Sequence, residues 1–162
     1  MDILFINPNS SAKAYQGLVH TYSTIEPPTW ALLLAQACRS NDFEVAILDC
    51  EAERMSLETS LKRIEQFKPR IVCFVVYGQN PNSGTTSMIG ATALAVYIRE
   101  NSPQYPICFV GSHTSALPRN VLMFPFVDFV LLNEGVYSLQ NLLRADLKSE
   151  LHKVKGIGLK IA

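Results

Sequence analysis

Ile71-Val-Cys-Phe-Val-Val-Tyr77 carries no polar alternation, and it breaks at once into Gly78-Gln-Asn-Pro-Asn-Ser-Gly-Thr-Thr86. A β-branched and aromatic run of that length fits a strand covered on both faces, which requires a parallel sheet flanked by helices. The polar stretch behind it holds glycine at 78 and 84 and small donors and acceptors at Asn80, Asn82, Ser83, Thr85 and Thr86. Open parallel sheets bind ligands beyond the carboxyl ends of their strands. This junction therefore marks the expected working edge.

The same alternation recurs on both sides of it. Ile3-Leu-Phe-Ile6 reads as the first strand, closed by the turn formers Asn7-Pro-Asn-Ser-Ser11, with a connection of about twenty residues to Ile25. Pro27-Pro28 opens a helix whose apolar positions Trp30, Leu33, Leu34, Ala37 and Cys38 form one stripe expected to face the sheet. Glu44 to Leu48 is the second strand. Ser56 caps a helix with Leu57, Leu61, Ile64 and Phe67 inward, and Lys68-Pro69 ends it. A helix from about Thr86 to Glu100 follows the central strand, with Met88, Ala91, Ala95 and Ile98 inward.

Pro106 to Val110 reads as the fourth strand and Gly111-Ser-His-Thr-Ser115 as a second polar loop, with a short helix from Pro118. Phe129 to Leu132 is the fifth strand. Asn133-Glu-Gly135 turns into a closing helix with Val136, Leu139, Leu142 and Leu143 inward, and Val154 to Ile161 can add an edge strand. Five alternating strands and helices predict a doubly wound α/β sheet, Rossmann-like and of flavodoxin type, mostly parallel, with order 2-1-3-4-5. Residues 1–146 form the expected domain and 147–162 an extension.

Bulk properties narrow the partners. Fourteen basic residues balance fourteen acidic ones across 162 positions, so no charge footprint for nucleic acid or an anionic membrane stands out. The longest apolar stretch, Val121 to Leu132, is broken by Pro125 and Asp128. No run reaches a spanning length, and the start lacks a secretory pattern, so a cytoplasmic protein is expected. Cys38, Cys50, Cys73 and Cys108 are dispersed in apolar segments and read as buried thiols; none forms a Cys-x-x-Cys pair.

Several sites are excluded by missing motifs: the dinucleotide Gly-x-Gly-x-x-Gly, the phosphate-binding Gly-x-x-x-x-Gly-Lys-Ser/Thr and the Gly-x-Ser-x-Gly elbow. A phosphoacceptor receiver needs acidic residues where Asn7 and Tyr77 stand and a lysine where Asn133 stands. His113 either bonds backbone beside the pocket or touches a ligand. His20 has no second metal ligand at useful spacing, and His152 reads as solvated. Glu134 either meets a ligand or favours the positive end of the closing helix.

Seven motifs in one order resemble the N-terminal cobalamin-binding domain of cobalamin-dependent radical SAM enzymes. Asn7-Pro8 is similar to the family's Asn-Pro-Pro turn, with Asn9 at the third place. Glu26-Pro-Pro-Thr-Trp-Ala-Leu-Leu-Leu-Ala35, Glu44-Val-Ala-Ile-Leu-Asp49 and Lys68-Pro-Arg-Ile-Val72 resemble its first helix, second strand and entry to the third strand. Val110-Gly-Ser-His-Thr-Ser115 resembles Gly-Gly-x-His-x-Ser/Thr, with Ser112 for the second glycine. Asp128 to Gly135 resembles Asp-x-Val-x-x-Gly-Glu-Gly-Glu, departing at Asn133 and Val136, and Lys155-Gly-Ile-Gly158 resembles the segment before the catalytic barrel.

The resemblance implies a corrinoid on the rim, its nucleotide tail running beside the third strand. The cofactor-binding candidates are Asn7, Pro8, Asn9, Ser10, Tyr77, Gly78, Gln79, Ser83, Thr85, Thr86, Gly111, Ser112, His113, Glu134 and Gly135; no catalytic residue and no protein metal ligand is expected. Asn7-Pro-Asn-Ser-Ser-Ala12 stands where other cobalamin modules carry Asp-x-His-x-x-Gly. No histidine from there is thus expected on cobalt, and the dimethylbenzimidazole is expected to be displaced. S-adenosylmethionine and an iron–sulfur cluster belong to a radical SAM barrel, since Cys-x-x-x-Cys-x-x-Cys is absent; the barrel is expected in cis or in trans, with methyl transfer as the chemistry. The rival readings are a flavodoxin-like flavin enzyme or carrier and a module that docks a partner protein.

Overall fold

The computed structural model describes residues 1–10, 25–77 and 81–160, with 81–83 as backbone alone. Chain order is β1 (Ile3–Asn7), α1 (Thr29–Arg39), β2 (Val45–Asp49), α2 (Leu57–Phe67), β3 (Ile71–Val75), α3 (Pro81–Asn101) and β4 (Ile107–Val110). Two short helices follow, α4 (Ser112–Ala116) and α5 (Pro118–Met123), then β5 (Phe129–Leu131), α6 (Val136–Arg144), a 3-10 turn at Leu151–Lys153 and β6 (Ile157–Leu159).

The strands form one sheet in the order β2-β1-β3-β4-β5-β6. β1 to β5 are parallel, and β6 closes the edge antiparallel to β5, with Val130 opposite Gly158. The expected order therefore holds and gains the sixth strand. Every residue of β3 is buried, as a strand between two helix layers must be. Val72, Phe74 and Val76 point to the layer holding Ile64, Met88 and Ala95. Ile71, Cys73 and Val75 point to the layer holding Leu34, Cys38 and Leu139. Phe74 and Phe109, cross-strand neighbours, stack with centroids 5.0 Å apart, worth about 1 kcal/mol beyond burial.

Three local expectations are corrected. In α1 the buried positions are Ala31, Leu34, Ala35 and Cys38, whereas Trp30 and Leu33 are exposed. The two alanines let the helix approach the sheet, and Trp30 is drawn instead onto Tyr77. In α2 Leu57 is exposed in the first turn, and Ser60 takes the inward place, its hydroxyl bonding Ser56 O at 2.8 Å and Cys50 Sγ at 3.4 Å. The Ser56 cap is present, accepting from Thr59 N at 3.1 Å, and Lys68 ends the helix in a left-handed conformation.

The third correction bears on function. α3 starts at Pro81, not near Thr86, so Ser83, Gly84, Thr85 and Thr86 lie in its first turns instead of in a loop. Proline loses no hydrogen bond at a helix start, and the weak helix formers after it are held by contact with the next turn of the fold. Likewise Gly111-Ser-His-Thr-Ser115 is a strand end followed at once by α4.

Candidate functional site

Parallel β1, β3, β4 and β5 end on one rim, so the turns after them gather there. Two sub-clusters result. The first lies after β1 and β2. Asn7 Nδ2 donates to Asp49 Oδ1 at 2.7 Å, and Ala52 N donates to the same oxygen at 3.0 Å. Pro8 leads into a segment seated on α3: Asn9 Nδ2 donates to Met55 O at 3.2 Å, and Ser10 N to Glu51 Oε2 at 2.7 Å. Ser10 Oγ donates to Ser87 O and accepts from Gly90 N. A Cβ at Gly90 would stand 2.3 Å from Asn9 O. These polar groups hold the first turn against α3.

The second sub-cluster lies after β3, β4 and β5. The Val76 carbonyl meets Gly111 so closely that a Cβ there would stand 2.2 Å from the oxygen, and Gly111 has φ 153°. A Cβ at Gly84 would stand 2.2 Å from Ser112 Oγ and 3.0 Å from Val76 O. Two glycines thus bring α3, β3 and the start of α4 into backbone contact. Thr85 Oγ1 lies 3.0 Å from His113 Nδ1. Ser112 Oγ and Thr114 Oγ1 are buried with no hydrogen-bond partner among the described residues. An orphaned buried hydroxyl costs about 1–3 kcal/mol, and at a rim it marks where a polar ligand group can be received.

Asn133 and Gly135 adopt positive φ, 57° and 74°, and turn the chain into α6. The Asn133 carbonyl accepts from Tyr77 Oη at 2.7 Å and from Ser115 Oγ at 3.2 Å, tying the ends of β3, β4 and β5 together. Tyr77 also stacks on Trp30, with centroids 4.4 Å apart and planes 20° apart. Burial, and then the Glu134 carboxylate, push the Tyr77 phenol up to about 12, so it stays a neutral donor. Glu134 itself is exposed.

Gly78, Gln79, Asn80 and His20 lie outside the described residues, as does most of the long first connection; the side chains of Asn82 and Ser83 do too. Among the candidates, Tyr77, Thr85, Gly111, Ser112, His113 and Gly135 come together, while Asn7, Asn9 and Ser10 are bound into the neighbouring turn. Ser115 belongs to the polar loop read after the fourth strand but stands two residues past His113, outside the cofactor-binding candidates, and bonds the Asn133 carbonyl. Trp30, assigned to the sheet-facing stripe, is the rim residue that sequence reasoning missed. The four thiols are all buried, as expected. Among the described residues no cluster of His, Cys, Asp and Glu able to hold a metal occurs, and no helix is long and apolar enough to cross a membrane. A cleft of about 810 Å³ opens on the opposite rim, lined in part by Arg70, Arg99, Tyr105 and Asp128. Arg70 is spent there on the Leu143 and Ala145 carbonyls.

A family model described as the B12 binding domain matches residues 15–143. Among solved structures, the chain is similar to the radical S-adenosylmethionine methyltransferase TsrM from Kitasatospora setae with cobalamin and a 4Fe-4S cluster bound. That likeness has a TM-score of 0.72 and 19% identity, covering 99% of this chain and 29% of that one. TsrM with tryptophan substrate and the SAM analogue aza-SAM gives 0.69 and 18%, covering 98% and 28%. The cobalamin-dependent S-adenosylmethionine radical enzyme OxsB, with aqua-cobalamin and S-adenosylmethionine bound, gives 0.69 and 17%, covering 96% and 20%. The chain spans less than a third of these neighbours. No curated protein matches it.

Proposed function

The chain belongs to the B12-binding domain family, and from that premise we propose that its rim seats a corrinoid for a radical SAM barrel, present in cis or in trans. The observation that carries the placement is the pairing of close-packed glycines, Gly84 and Gly111, with the buried, unpartnered Ser112 hydroxyl. A large flat ring needs small hydrogen-bonding groups around its amide-bearing edge. The glycine contacts bring α3 and α4 together after β3 and β4, which gathers Thr85, Ser112 and His113 at one place on the rim.

In this reading Ser112 offers its hydroxyl to the edge amides of the ring, and Thr85 fixes the orientation of His113 through Nδ1, leaving Nε2 for the ligand. Asn7, Asn9 and Ser10 position the neighbouring turn through their bonds to Asp49, Met55 and Ser87. Gly135 lets the third turn fold back beside β4. A bound corrinoid supplies a cobalt centre that can accept and hand on a methyl group. The neighbours TsrM and OxsB are both cobalamin- and S-adenosylmethionine-associated proteins of radical chemistry, which supports methyl transfer from S-adenosylmethionine as the reaction served. Residues 1–146 are proposed to carry the module and 147–162 to lead toward the barrel.

Hydroxocobalamin mixed with the purified chain at micromolar concentration, then desalted, tests this directly. A retained corrinoid spectrum is expected, with the dimethylbenzimidazole displaced and no imidazole in its place, since Asn7-Pro-Asn-Ser10 offers none. Complete loss of the corrinoid on desalting overturns the proposal.

A further inference from the structure

The two layers flanking the sheet are closed at the rim in different ways. On the side of α2 and α3 the closure is backbone against backbone, at Gly84, Gly111 and Val76. Among the described residues there, only the small Ser112 side chain can rotate without moving a helix. On the side of α1 and α6 the described closure consists of two side chains. Trp30, the sole tryptophan, stacks on Tyr77, and Tyr77 is latched to the Asn133 carbonyl by one hydrogen bond.

Tyr77 packs on buried, apolar ground, against the cluster that holds Ala31, Leu34, Val75, Val110, Leu131 and Leu139. α1 and α6 run side by side in constant register: Gln140 donates to Ala37 O and Arg144 to Asn41 Oδ1, 103 positions apart in both pairs. Carried back along the helices, that register sets Leu33 level with Val136, the first residue of α6. Trp30 lies about one turn beyond, where its stack on Tyr77 and the Tyr77–Asn133 bond bridge from helix to strand end. The end of α1 that carries Trp30 is lightly held: its N-cap, Pro28, makes no side-chain cap bond, and the first turn has no acidic residue. Trp30 itself is 38% exposed.

A cobalamin lying flat on the rim carries a bulky nucleotide tail beneath its ring, and that tail must pass between the sheet and one helix layer. Resting on the corrinoid reading above, we propose that Trp30 and Tyr77 form a swinging gate over the layer between the sheet and α1/α6, which sets how well the chain accepts a corrinoid with a nucleotide tail relative to one without. Opening the gate costs one aromatic stack and one hydrogen bond. Together these correspond to about tenfold in affinity. A ring lacking the tail rests on the rim without opening anything.

The experiment compares dissociation constants for hydroxocobalamin and for cobinamide, which lacks the nucleotide, on the wild-type chain, Trp30→Ala and Tyr77→Phe. Trp30→Ala, which removes the stack and leaves the latch, is expected to tighten hydroxocobalamin relative to cobinamide by about fivefold. Tyr77→Phe keeps the packing and removes only the latch, and a smaller change of the same sign is expected; it also serves where Trp30→Ala fails to fold. A ratio unmoved by either substitution overturns the gate, and a ratio that falls shows the rings grip the tail instead. Wild-type protein that binds cobinamide more tightly than hydroxocobalamin, with the order reversed once the gate is removed, is its strongest confirmation. Retention of neither corrinoid by any of the three proteins overturns the corrinoid reading and the gate with it.

Discussion

Gly84 faces Ser112 so closely that a methyl group at position 84 would stand 2.2 Å from the serine hydroxyl. The atom in the way is the end of a rotatable side chain, while the Val76 carbonyl, at 3.0 Å, needs only a small adjustment. Alanine is also favoured over glycine inside a helix by about 1 kcal/mol. Gly84→Ala is therefore expected to leave the melting temperature within a few degrees of wild type while turning the Ser112 hydroxyl away from the rim. Corrinoid retention, followed by visible absorbance after desalting, should fall about tenfold or more, as for a lost hydrogen bond to a ligand. Unchanged retention would remove Ser112 from the ring edge.

Gly111 presents the opposite case. The obstacle to a Cβ is the Val76 backbone carbonyl at 2.2 Å, and φ of 153° is itself unfavourable for other residues. Backbone cannot rotate away. Gly111→Ala is expected to destabilise the fold by about 3 kcal/mol or more, since strain and displacement of β3 from α4 act together. Urea unfolding monitored by circular dichroism measures it, and a loss below about 1 kcal/mol would contradict the packing described.

Much of the sheet is legible in the sequence because buried parallel strands leave unbroken apolar runs: Ile71–Val75 and Ile107–Val110 both do, and their order follows from right-handed crossovers. The faces of the helices are less legible. Between Trp30 and Ala35 every residue is apolar, so periodicity cannot choose a stripe. The choice is made by closeness of approach, which favours Ala31 and Ala35, and by the partner Tyr77 waiting for Trp30. The start of α3 is hidden for a related reason. Asn82 to Thr86 reads as a loop by composition, and only the tertiary contact of Gly84 with Val76 and Ser112 reveals why a helix there is stable. At the site, glycines and small hydroxyls identify the rim, but sequence does not separate Ser10, bonded to Ser87 and Gly90, from Ser112, which has no described partner.

Arg99 and Asp128 link α3 to the entry of β5. Arg99 Nη2 lies 2.6 Å from Asp128 Oδ2, which also accepts from Ile107 N at 2.7 Å. The pair is partly exposed, at 27% and 36%, so screening reduces its worth. Asp128→Ala is expected to cost about 1–2 kcal/mol, chiefly from the unpaired Ile107 N–H and from the loss of Arg99's charge partner, the guanidinium keeping its bonds to Pro103 O and Phe126 O. Asp128→Asn, which can still accept from Ile107 N, should cost less, and urea titrations of the two variants would reveal an order that contradicts this.

The thiols give the fold an alkaline limit. Burial raises Cys38 from 9.0 to about 11 and Cys50 likewise, the latter opposed in part by its bond from Ser60. In the unfolded chain these groups lose protons from about pH 9, whereas the folded protein keeps them to about 11. The unfolded state thus binds fewer protons in that window. Stability is fully present below pH 9 and declines as pH rises toward 11, by an amount on the order of 2 kcal/mol for each thiol. Burial, followed by interaction with Cys108, pushes Cys73 up as well, adding to the same slope. A thiol reagent at pH 7.5 is expected to label none of the four cysteines in native protein and all four in urea; denaturant midpoints flat from pH 8 to 11 would contradict this assignment.

Trp30 emission reports the state of the rim without any ligand. Its ring lies on Tyr77, whose hydroxyl is fixed by the Asn133 carbonyl, and no other tryptophan competes with the signal. Tyr77→Phe preserves the stacked ring but frees it from β5, while the Asn133 carbonyl keeps its bond from Ser115, so a global loss of about 1 kcal/mol or less is expected. Tyr77→Ala removes the face on which the indole rests and should expose it, shifting emission to the red and raising acrylamide quenching about twofold. Because α1 is anchored beneath by Leu34 and Cys38, both 1% exposed, far-UV dichroism should change little in either variant. Equal quenching in wild type and Tyr77→Ala would mean that the indole is held by something other than Tyr77, and the gate would then have to be sought elsewhere on the rim.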